Sequence, residues 1–445
     1  MEAVEEGHRR LSVAFATLGC RLNQADSEEL ARSFLERGYS VIQEATRADV
    51  VVVNSCTVTR EADRQSRQLV RHIVHHNPHT LMVLTGCYPS IDPVEAAAVE
   101  GVDLVITNQE KAQLVDRVSR ILQERGQALL PVLDDLPEPP PGWFGRTRVQ
   151  LKVEEGCNNR CSFCIVPMAR GRQRSRSIAE CVEKVQRFVD EGYQEVVLTG
   201  THLGGYGRDL TVRGSDGRYH PPGLADLLEA ILIRTTLPRL RLSSVEPQDF
   251  PRQRLDLWSD HRLCRHFHLP VQSGSNAILR RMRRGYTRER YVALTEMIRS
   301  QVPGAAIMTD AIVGFPGEQE HDFADTCRLI EEVAFARVHV FPYSVREGTE
   351  AAAMPDHVAP SIIRQRSTTI AQLGEEAARC FRDAHAGQEA MVLWEEEVQP
   401  GVWQGLTDNY LRVRALSPER LHNRISRVRL VAPAGWGFRG QVIAP

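Results

Sequence analysis

The sequence predicts an α/β protein built from an N-terminal parallel-sheet α/β domain, a central partial (β/α)6 barrel and a small all-β C-terminal barrel. Three observations carry this reading. Continuous β-branched runs alternate with amphipathic stretches, a proline-rich break interrupts them, and from about residue 387 the texture changes to short alternating strands. In the first part, strand candidates at 13–17, 49–53, 81–85 and 104–106 are separated by helical stretches such as 27–37 and 60–72, the pattern of a parallel sheet covered on both faces. Residues 131–142 hold Pro131, Pro137, Pro139, Pro140, Pro141 and Gly142, which suit a linker because proline lacks the amide donor. Six further strand candidates follow, at 149–153, 195–199, 240–244, 266–269, 307–313 and 337–341, with helices between them. Six β/α units fit an open barrel better than a closed eight-stranded one. Strands at 389–393, 410–416 and 425–431, punctuated by Gly401, Gly405, Gly435 and Gly437, read as a small β-barrel.

At 445 residues the chain has room for roughly three domains, placed at 10–127, 143–378 and 380–445. Hydrophobic residues at 42% and charged residues at 25% exclude wholesale disorder. The 55 Lys and Arg against 57 Asp and Glu leave a formal charge of -2, so any nucleic-acid contact must come from local basic patches. No apolar run approaches the roughly eighteen residues of a membrane helix, and Met1-Glu2-Ala3-Val4-Glu5-Glu6 is too acidic for a signal peptide. The expectation is a cytoplasmic protein with no membrane partner. In that reducing compartment the ten cysteines suit metal, redox or packing roles better than disulfides.

Two groups of cysteines stand out. Cys157-Asn-Asn-Arg-Cys161-Ser-Phe-Cys164 follows the first strand of the central domain, and three thiolates so spaced can hold three irons of a cubane cluster, leaving the fourth iron open. Zinc prefers four closed ligands, and a disulfide would leave one thiol over. Cys20, Cys56 and Cys87 each lie within about three residues of the carboxyl end of a predicted parallel strand. Those ends open on one rim of the sheet, where three thiols can converge, and Gly19 and Gly86 allow close backbone approach. The alternative is three separate buried cysteines acting as small hydrophobes. Cys181, Cys264, Cys327 and Cys380 read as packing residues, and Gly204-Gly205-Tyr206-Gly207 lacks the spacing of a phosphate-binding loop.

The triplet at the mouth of a six-unit β/α domain, with three cysteines upstream and a β-barrel downstream, resembles the radical S-adenosylmethionine (SAM) methylthiotransferase family over essentially the whole chain. The phrases that carry the resemblance are Thr17-Leu18-Gly19-Cys20-Arg21-Leu22-Asn23-Gln24, Asn54-Ser55-Cys56-Thr57-Val58-Thr59, Thr85-Gly86-Cys87-Tyr88, Gln272-Ser273-Gly274-Ser275 and Ile312-Val313-Gly314-Phe315-Pro316-Gly317-Glu318. Cys164 to Gly171 and His339-Val340-Phe341-Pro342-Tyr343-Ser344 look most like the branch acting on N6-threonylcarbamoyladenosine in tRNA.

The resemblance implies a 2-methylthio group installed on the adenine at tRNA position 37, with two 4Fe–4S clusters and SAM as cofactors. Cys157, Cys161 and Cys164 would hold the SAM-cleaving cluster and Cys20, Cys56 and Cys87 the auxiliary cluster for sulfur insertion, a SAM also giving the methyl group. The adenine C2 position has no acidic proton and no leaving group, so acid–base catalysis has nothing to act on and a radical is required. Implied partners are the tRNA anticodon stem-loop, a reductant protein such as flavodoxin and a sulfur source. Strand-end positions Gly200, Thr201, Glu246, Gln272, Gly314 and Phe315 are candidate SAM contacts, though glycines there also serve as plain turn residues. Arg170, Arg172, Arg174 and Arg176, and Arg280, Arg281, Arg283 and Arg284, are candidate RNA-phosphate contacts, where a charge run is otherwise a solvated face. The last module resembles the RNA-binding TRAM barrel, in which Trp394, Trp403, Tyr410 and Trp436 divide between base stacking and core. Rival substrates are isopentenyladenosine tRNA and a ribosomal-protein aspartate, and a rival class is a non-catalytic iron–sulfur RNA-binding protein.

Overall fold

The computed structural model of the chain describes residues 10–127, 147–213 and 219–444, so the proline-rich stretch at 131–142 lies outside the described residues. Two compact units make up the structure. The first holds the N-terminal sheet together with Gly156–Asn158 and Cys164–Arg172, and the second holds the central and C-terminal strands. Among the described residues no helix is long and apolar enough to cross a membrane.

In the first unit the strands are β1 (Ser12–Thr17), β2 (Ser40–Ile42), β3 (Val50–Ser55), β4 (Leu81–Gly86) and β5 (Leu104–Thr107), all parallel in the order β2-β1-β3-β4-β5. The four expected strands are present. The added β2 is only three residues long and half-buried, too brief for a periodic signal. Alternate residues serve opposite faces. Val13, Val50, Val52, Leu81 and Val83 pack with Phe34 and Val118, while Ala14, Val51, Val53, Met82 and Leu84 pack with Val70 and Ile73. Helices α1 (Arg21–Glu36) and α2 (Arg60–His76) supply Phe34 and the Val70–Ile73 face. Thr59 caps α2 by accepting from the Ala62 amide at 3.2 Å. Helix α1 starts six residues before the expected boundary at 27. Its first turns look polar in sequence, but Asn23 and Asp26 are buried and hydrogen-bonded rather than solvated.

The second unit contains all six expected central strands: β6 (Val149–Lys152), β7 (Glu195–Thr199), β8 (Arg239–Leu242), β9 (His266–His268), β10 (Ala306–Val313) and β11 (Arg337–Pro342). They form two parallel three-stranded sheets, β8-β7-β6 and β9-β10-β11. Bridges Leu240–Leu263 and Ser244–His268 join these into one open (β/α)6 wall. One face carries Leu151, Leu198, Leu242, Phe267, Ala311 and Val313 into a single apolar core under the helices. The other face is polar, carrying Lys152, Glu195, Arg241, His268, Asp310 and His339.

The C-terminal strands β12 (Glu389–Gln399), β13 (Val402–Thr407), β14 (Arg412–Leu416), β15 (Ile425–Ala434) and β16 (Gly437–Ala444) close into a barrel in the order β12-β13-β14-β16-β15. Trp394 and Trp403 fill its core with Val392, Val413, Val428 and Phe438, which removes both tryptophans from base stacking. A buried charge cluster fastens this barrel to the amino ends of the central strands. Glu195 bonds Arg239 Nε at 2.7 Å and Arg241 Nε at 2.6 Å, and Arg241 also donates to the Asp408 and Thr407 carbonyls at 2.8 and 3.1 Å. Tyr410 lies under the Arg241 guanidinium at 5.0 Å and stacks on His266 at 4.7 Å, so its ring belongs to this junction rather than to RNA. Although burial opposes ionisation, the guanidiniums hold the Glu195 carboxyl far below the usual carboxylate range, Arg241 contributing most. Glu195→Ala leaves two buried arginines without their counter-ion and should cost about 3–5 kcal/mol, read as a lower urea midpoint for the unit.

Candidate active site

The first unit brings Cys20, Cys56 and Cys87 to one rim. Cys20 precedes α1, Cys56 follows β3, and Cys87 opens the short helix α3 (Cys87–Ile91) directly after β4. Parallel register puts these ends side by side: Thr17 pairs with Asn54, and Ser55 with Gly86. Gly19 has φ +97°, and a Cβ there would sit 2.9 Å from Cys56 Sγ, so the turn bearing Cys20 can approach only as glycine. Gly86, at φ +101°, likewise packs onto the Ser55 carbonyl. Beneath the loops the Asn23 amide donates to the Leu18 and Ser55 carbonyls at 2.7 and 2.9 Å, while Asn54 donates to the Asn23 carbonyl at 2.8 Å. Burial pushes the Cys56 thiol up to about 12, and the neighbouring Cys87 and Cys20 sulfurs add to the rise. All ten cysteines are free, and Asn108 Nδ2 contacts Cys87 Sγ at 3.7 Å, a bond of the kind that tunes a ligating sulfur. Three free thiols carried by adjacent strand ends on a glycine-shaped rim are the donor set of a three-cysteine iron–sulfur cluster.

The Cys157–Cys164 loop contributes to both units. In the first, the Cys157 amide donates to the Gly171 carbonyl at 3.1 Å, and helix α4 (Val166–Arg170) follows Cys164. Arg170 is buried, with its guanidinium 3.3 Å from Asp26 Oδ2 and bonded to Asn23 Oδ1. Lys111 Nζ reaches the same Asp26 carboxylate at 2.7 Å, and Asn108 Nδ2 donates to the Ala169 carbonyl at 3.0 Å. This corrects the expectation that Arg170 contacts RNA: its charge is spent inside the protein, holding the segment after Cys164 on the cysteine-bearing sheet. In the second unit Arg284 Nη1 donates to Cys161 Sγ at 3.4 Å and pairs with Glu246. The Arg284 side chain is only 3% exposed, so it too leaves the RNA set. Ser162 is held by the Met282 and Arg281 carbonyls' region, its amide donating at 3.2 Å and its hydroxyl at 2.8 Å.

The candidate SAM positions fall on the carboxyl ends of the central strands, with their polar groups engaged in defined ways. Gly200 packs against the Glu154 carboxylate, which accepts from the His202 amide, and Glu246 is tied to Arg284. Gln272 holds a positive φ of 67°, its amide bonded to the Asp310 carbonyl at 2.9 Å, which is strain stored at the strand end. Gly314 and Phe315 donate their amides to Glu318 at 2.6 and 3.2 Å, and the Phe315 ring is fully buried. Those two amides therefore shape the turn. Thr201 is half-buried. Of the basic candidates, Arg172, Arg174, Arg280 and Arg283 are exposed; Arg176 pairs with Glu180, and Arg281 packs against Gly317. On the C-terminal barrel Trp436 stays outside the core, with the Arg414 guanidinium 4.4 Å over its ring.

Sequence reasoning missed a polar row on the central sheet: Ser244, His268, Asp310 and His339, linked by hydrogen bonds of 2.8, 2.9 and 3.1 Å. The available signal was a titratable residue interrupting the apolar alternation of each of three successive strands. It missed the Asp26–Lys111–Arg170 cluster for a different reason, because its members are up to 144 residues apart. Asp26→Ala strands two buried cations and should destabilise the first unit by about 3–5 kcal/mol, measured as a fall in its thermal or urea midpoint.

With this geometry in view, comparison with known proteins is informative. The Radical SAM superfamily profile matches residues 151–330, and that of Uncharacterized protein family UPF0004 matches residues 12–107. The chain is 36% identical over 97% of its length, and 96% of the relative's, to threonylcarbamoyladenosine tRNA methylthiotransferase MtaB of Bacillus subtilis. It is 34% identical, over 86% of both chains, to tRNA-2-methylthio-N(6)-dimethylallyladenosine synthase of Pelotomaculum thermopropionicum. Among solved structures, the radical SAM methyltransferase TsrM of Kitasatospora setae superposes with a TM-score of 0.55 at 15% identity, covering 77% of each chain, a likeness of fold. Free thiols in two groups of three, an open (β/α)6 wall and relatives matching almost end to end place the chain in the radical SAM methylthiotransferase family, whose cofactors are two 4Fe–4S clusters and SAM.

Proposed function

We propose that the chain installs a 2-methylthio group on N6-threonylcarbamoyladenosine at position 37 of tRNA. The observation that carries the reading is the end-to-end likeness to threonylcarbamoyladenosine enzymes from several bacteria, together with cysteines at both expected sites. When bound, the two clusters and SAM supply the electron, the hydrogen-abstracting radical, the sulfur and the methyl group that an adenine C2 position requires. Cys157, Cys161 and Cys164 would hold the cluster that supplies the electron for SAM cleavage. Arg284, donating to Cys161 and fixed by Glu246, steadies that ligand and sets its electrostatics. Cys20, Cys56 and Cys87 hold the auxiliary cluster, with Asn108 donating to Cys87. Gly200, Thr201, Glu246, Gln272, Gly314 and Phe315, at the carboxyl ends of the central strands, would line the SAM site.

The exposed Arg172, Arg174, Arg280 and Arg283 take phosphates of the anticodon stem-loop, and Trp436 with Arg414 offers a second RNA contact on the C-terminal barrel. A reductant protein such as flavodoxin and a separate sulfur source complete the cytoplasmic system. The likeness to dimethylallyladenosine enzymes favours a second reading, the isopentenyl substrate. Nucleoside mass spectrometry of a deletion strain separates them: loss of methylthio-threonylcarbamoyladenosine supports the first, and loss of only the isopentenyl form supports the second. With the reduced, anaerobic enzyme, Cys157→Ala should abolish 5′-deoxyadenosine formation, whereas Cys20→Ala should retain it and give no methylthio product. Equal SAM cleavage in both variants and the wild type contradicts these assignments.

A further inference from the structure

The polar row on the central sheet ends in a residue with a free hydrogen-bonding edge. Ser244 Oγ bonds His268 Nδ1 at 2.8 Å, and both His268 Nε2 and His339 Nδ1 lie on Asp310 Oδ1, at 2.9 and 3.1 Å. A carboxylate only accepts, so both imidazoles donate to it. Those bonds, the His268 bond first, hold the Asp310 carboxyl well below its usual range despite burial. His339 is thereby oriented with Nδ1–H inward and Nε2 outward. The outward edge is accessible: the His339 side chain is 35% exposed, against 13% for His268.

Two residues further along β11, Phe341 is 42% exposed, an unusual position for a large aromatic ring. Val338 and Val340 on the same strand pack into the apolar core, so by strand alternation His339 and Phe341 share the opposite, polar face. The row adjoins the site already described. Asp310's carbonyl accepts from the Gln272 amide, and Ser244 lies two residues before Glu246, the partner of the arginine that bonds Cys161. The donor atoms of His268, Asp310 and His339 fall within 4.8 Å of one another, close enough for one cation. Yet Oδ1 already stands at hydrogen-bond length from both rings, and Ser244 engages the far side of His268, which is the order of an orienting chain.

We propose that Phe341 and His339 form the seat of the modified adenine: Phe341 stacks on the base, and His339, bound as the imidazolium that carries an N–H on both ring nitrogens, keeps Nδ1–H on Asp310 and donates Nε2–H to the carboxylate of the N6-threonylcarbamoyl group. The proposal rests on the substrate reading above and deepens it by naming what selects that substrate. A dimethylallyl group has no acceptor and would leave the imidazole edge unpaired, whereas a carboxylate gains a charge-assisted bond. Asp310, His268 and Ser244 are positioning residues.

The test is a substrate-by-variant cycle on the reconstituted enzyme, using anticodon stem-loop RNAs that carry N6-threonylcarbamoyladenosine or its methyl ester, with product read by nucleoside mass spectrometry. Masking the carboxylate should raise the wild-type KM by about tenfold or more, and His339→Phe should raise the KM for the acid by a similar factor. The same variant should change the KM for the ester by less than about threefold, since the bond is already lost. Phe341→Ala should raise KM for both RNAs by about tenfold. If His339→Phe fails to fold, His339→Asn serves, because its amide can still donate to Asp310 without reaching the place of Nε2. Losses that multiply across the cycle, a fall in kcat with KM unmoved, or a stoichiometric non-iron metal that disappears in Asp310→Asn would overturn the proposal. Methylthiolation of a dimethylallyl stem-loop and of neither threonylcarbamoyl RNA would overturn the substrate reading itself, and the seat with it.

Discussion

A parallel sheet sends the carboxyl end of every strand to the same rim, and this constraint gives each unit a place where chemistry can collect. In the first unit it turns three cysteines separated by more than thirty residues of chain into neighbours, because Cys20, Cys56 and Cys87 each leave an adjacent strand at the same level. In the second it lines up Glu246, Gln272 and the Gly314 turn at one end of the wall, with the charge cluster around Glu195 at the other. The two ends divide their duties: amino ends fasten the C-terminal barrel, and carboxyl ends carry the candidate site.

Buried charge does the fastening in both units. Asp26 accepts from Lys111 and Arg170, and Glu195 accepts from Arg239 and Arg241, each carboxylate shared between cations that would otherwise be stranded. Such clusters contribute little net stability compared with apolar packing, but they are unforgiving of a missing member. They therefore specify geometry. The Asp26 cluster sets where the segment after Cys164 lies on its sheet, and the Glu195 cluster sets where β13 and the Asp408 turn meet the central strands.

Much of this was legible in the sequence because it is periodic or local. The run at 195–199 reads as a buried strand since every residue is apolar or β-branched apart from Glu195, and the structure places β7 on those same residues. The cysteine trios stand out in the sequence because spacing and strand ends are both local features. What stayed hidden depends on partners far away in the chain. Arg170 and Arg284 look like surface charges until Asp26, Glu246 and Cys161 are brought to them, and the start of α1 looks like loop until its polar residues find buried partners. The division of the aromatics was equally non-local, since Trp394 on β12 is enclosed by side chains from the other barrel strands while Trp436, in the turn between β15 and β16, meets only the Arg414 guanidinium from β14 among the contacts that place it.

The account stands on two separate three-thiol sites, each holding its own four-iron cluster, and anaerobic iron counting with Mössbauer spectroscopy tests that most directly. It predicts about eight irons per chain for the wild type, and about four when Cys20, Cys56 and Cys87, or alternatively Cys157, Cys161 and Cys164, are all replaced by alanine. A wild-type chain that holds only about four irons, or a triple variant that keeps all of them, contradicts it.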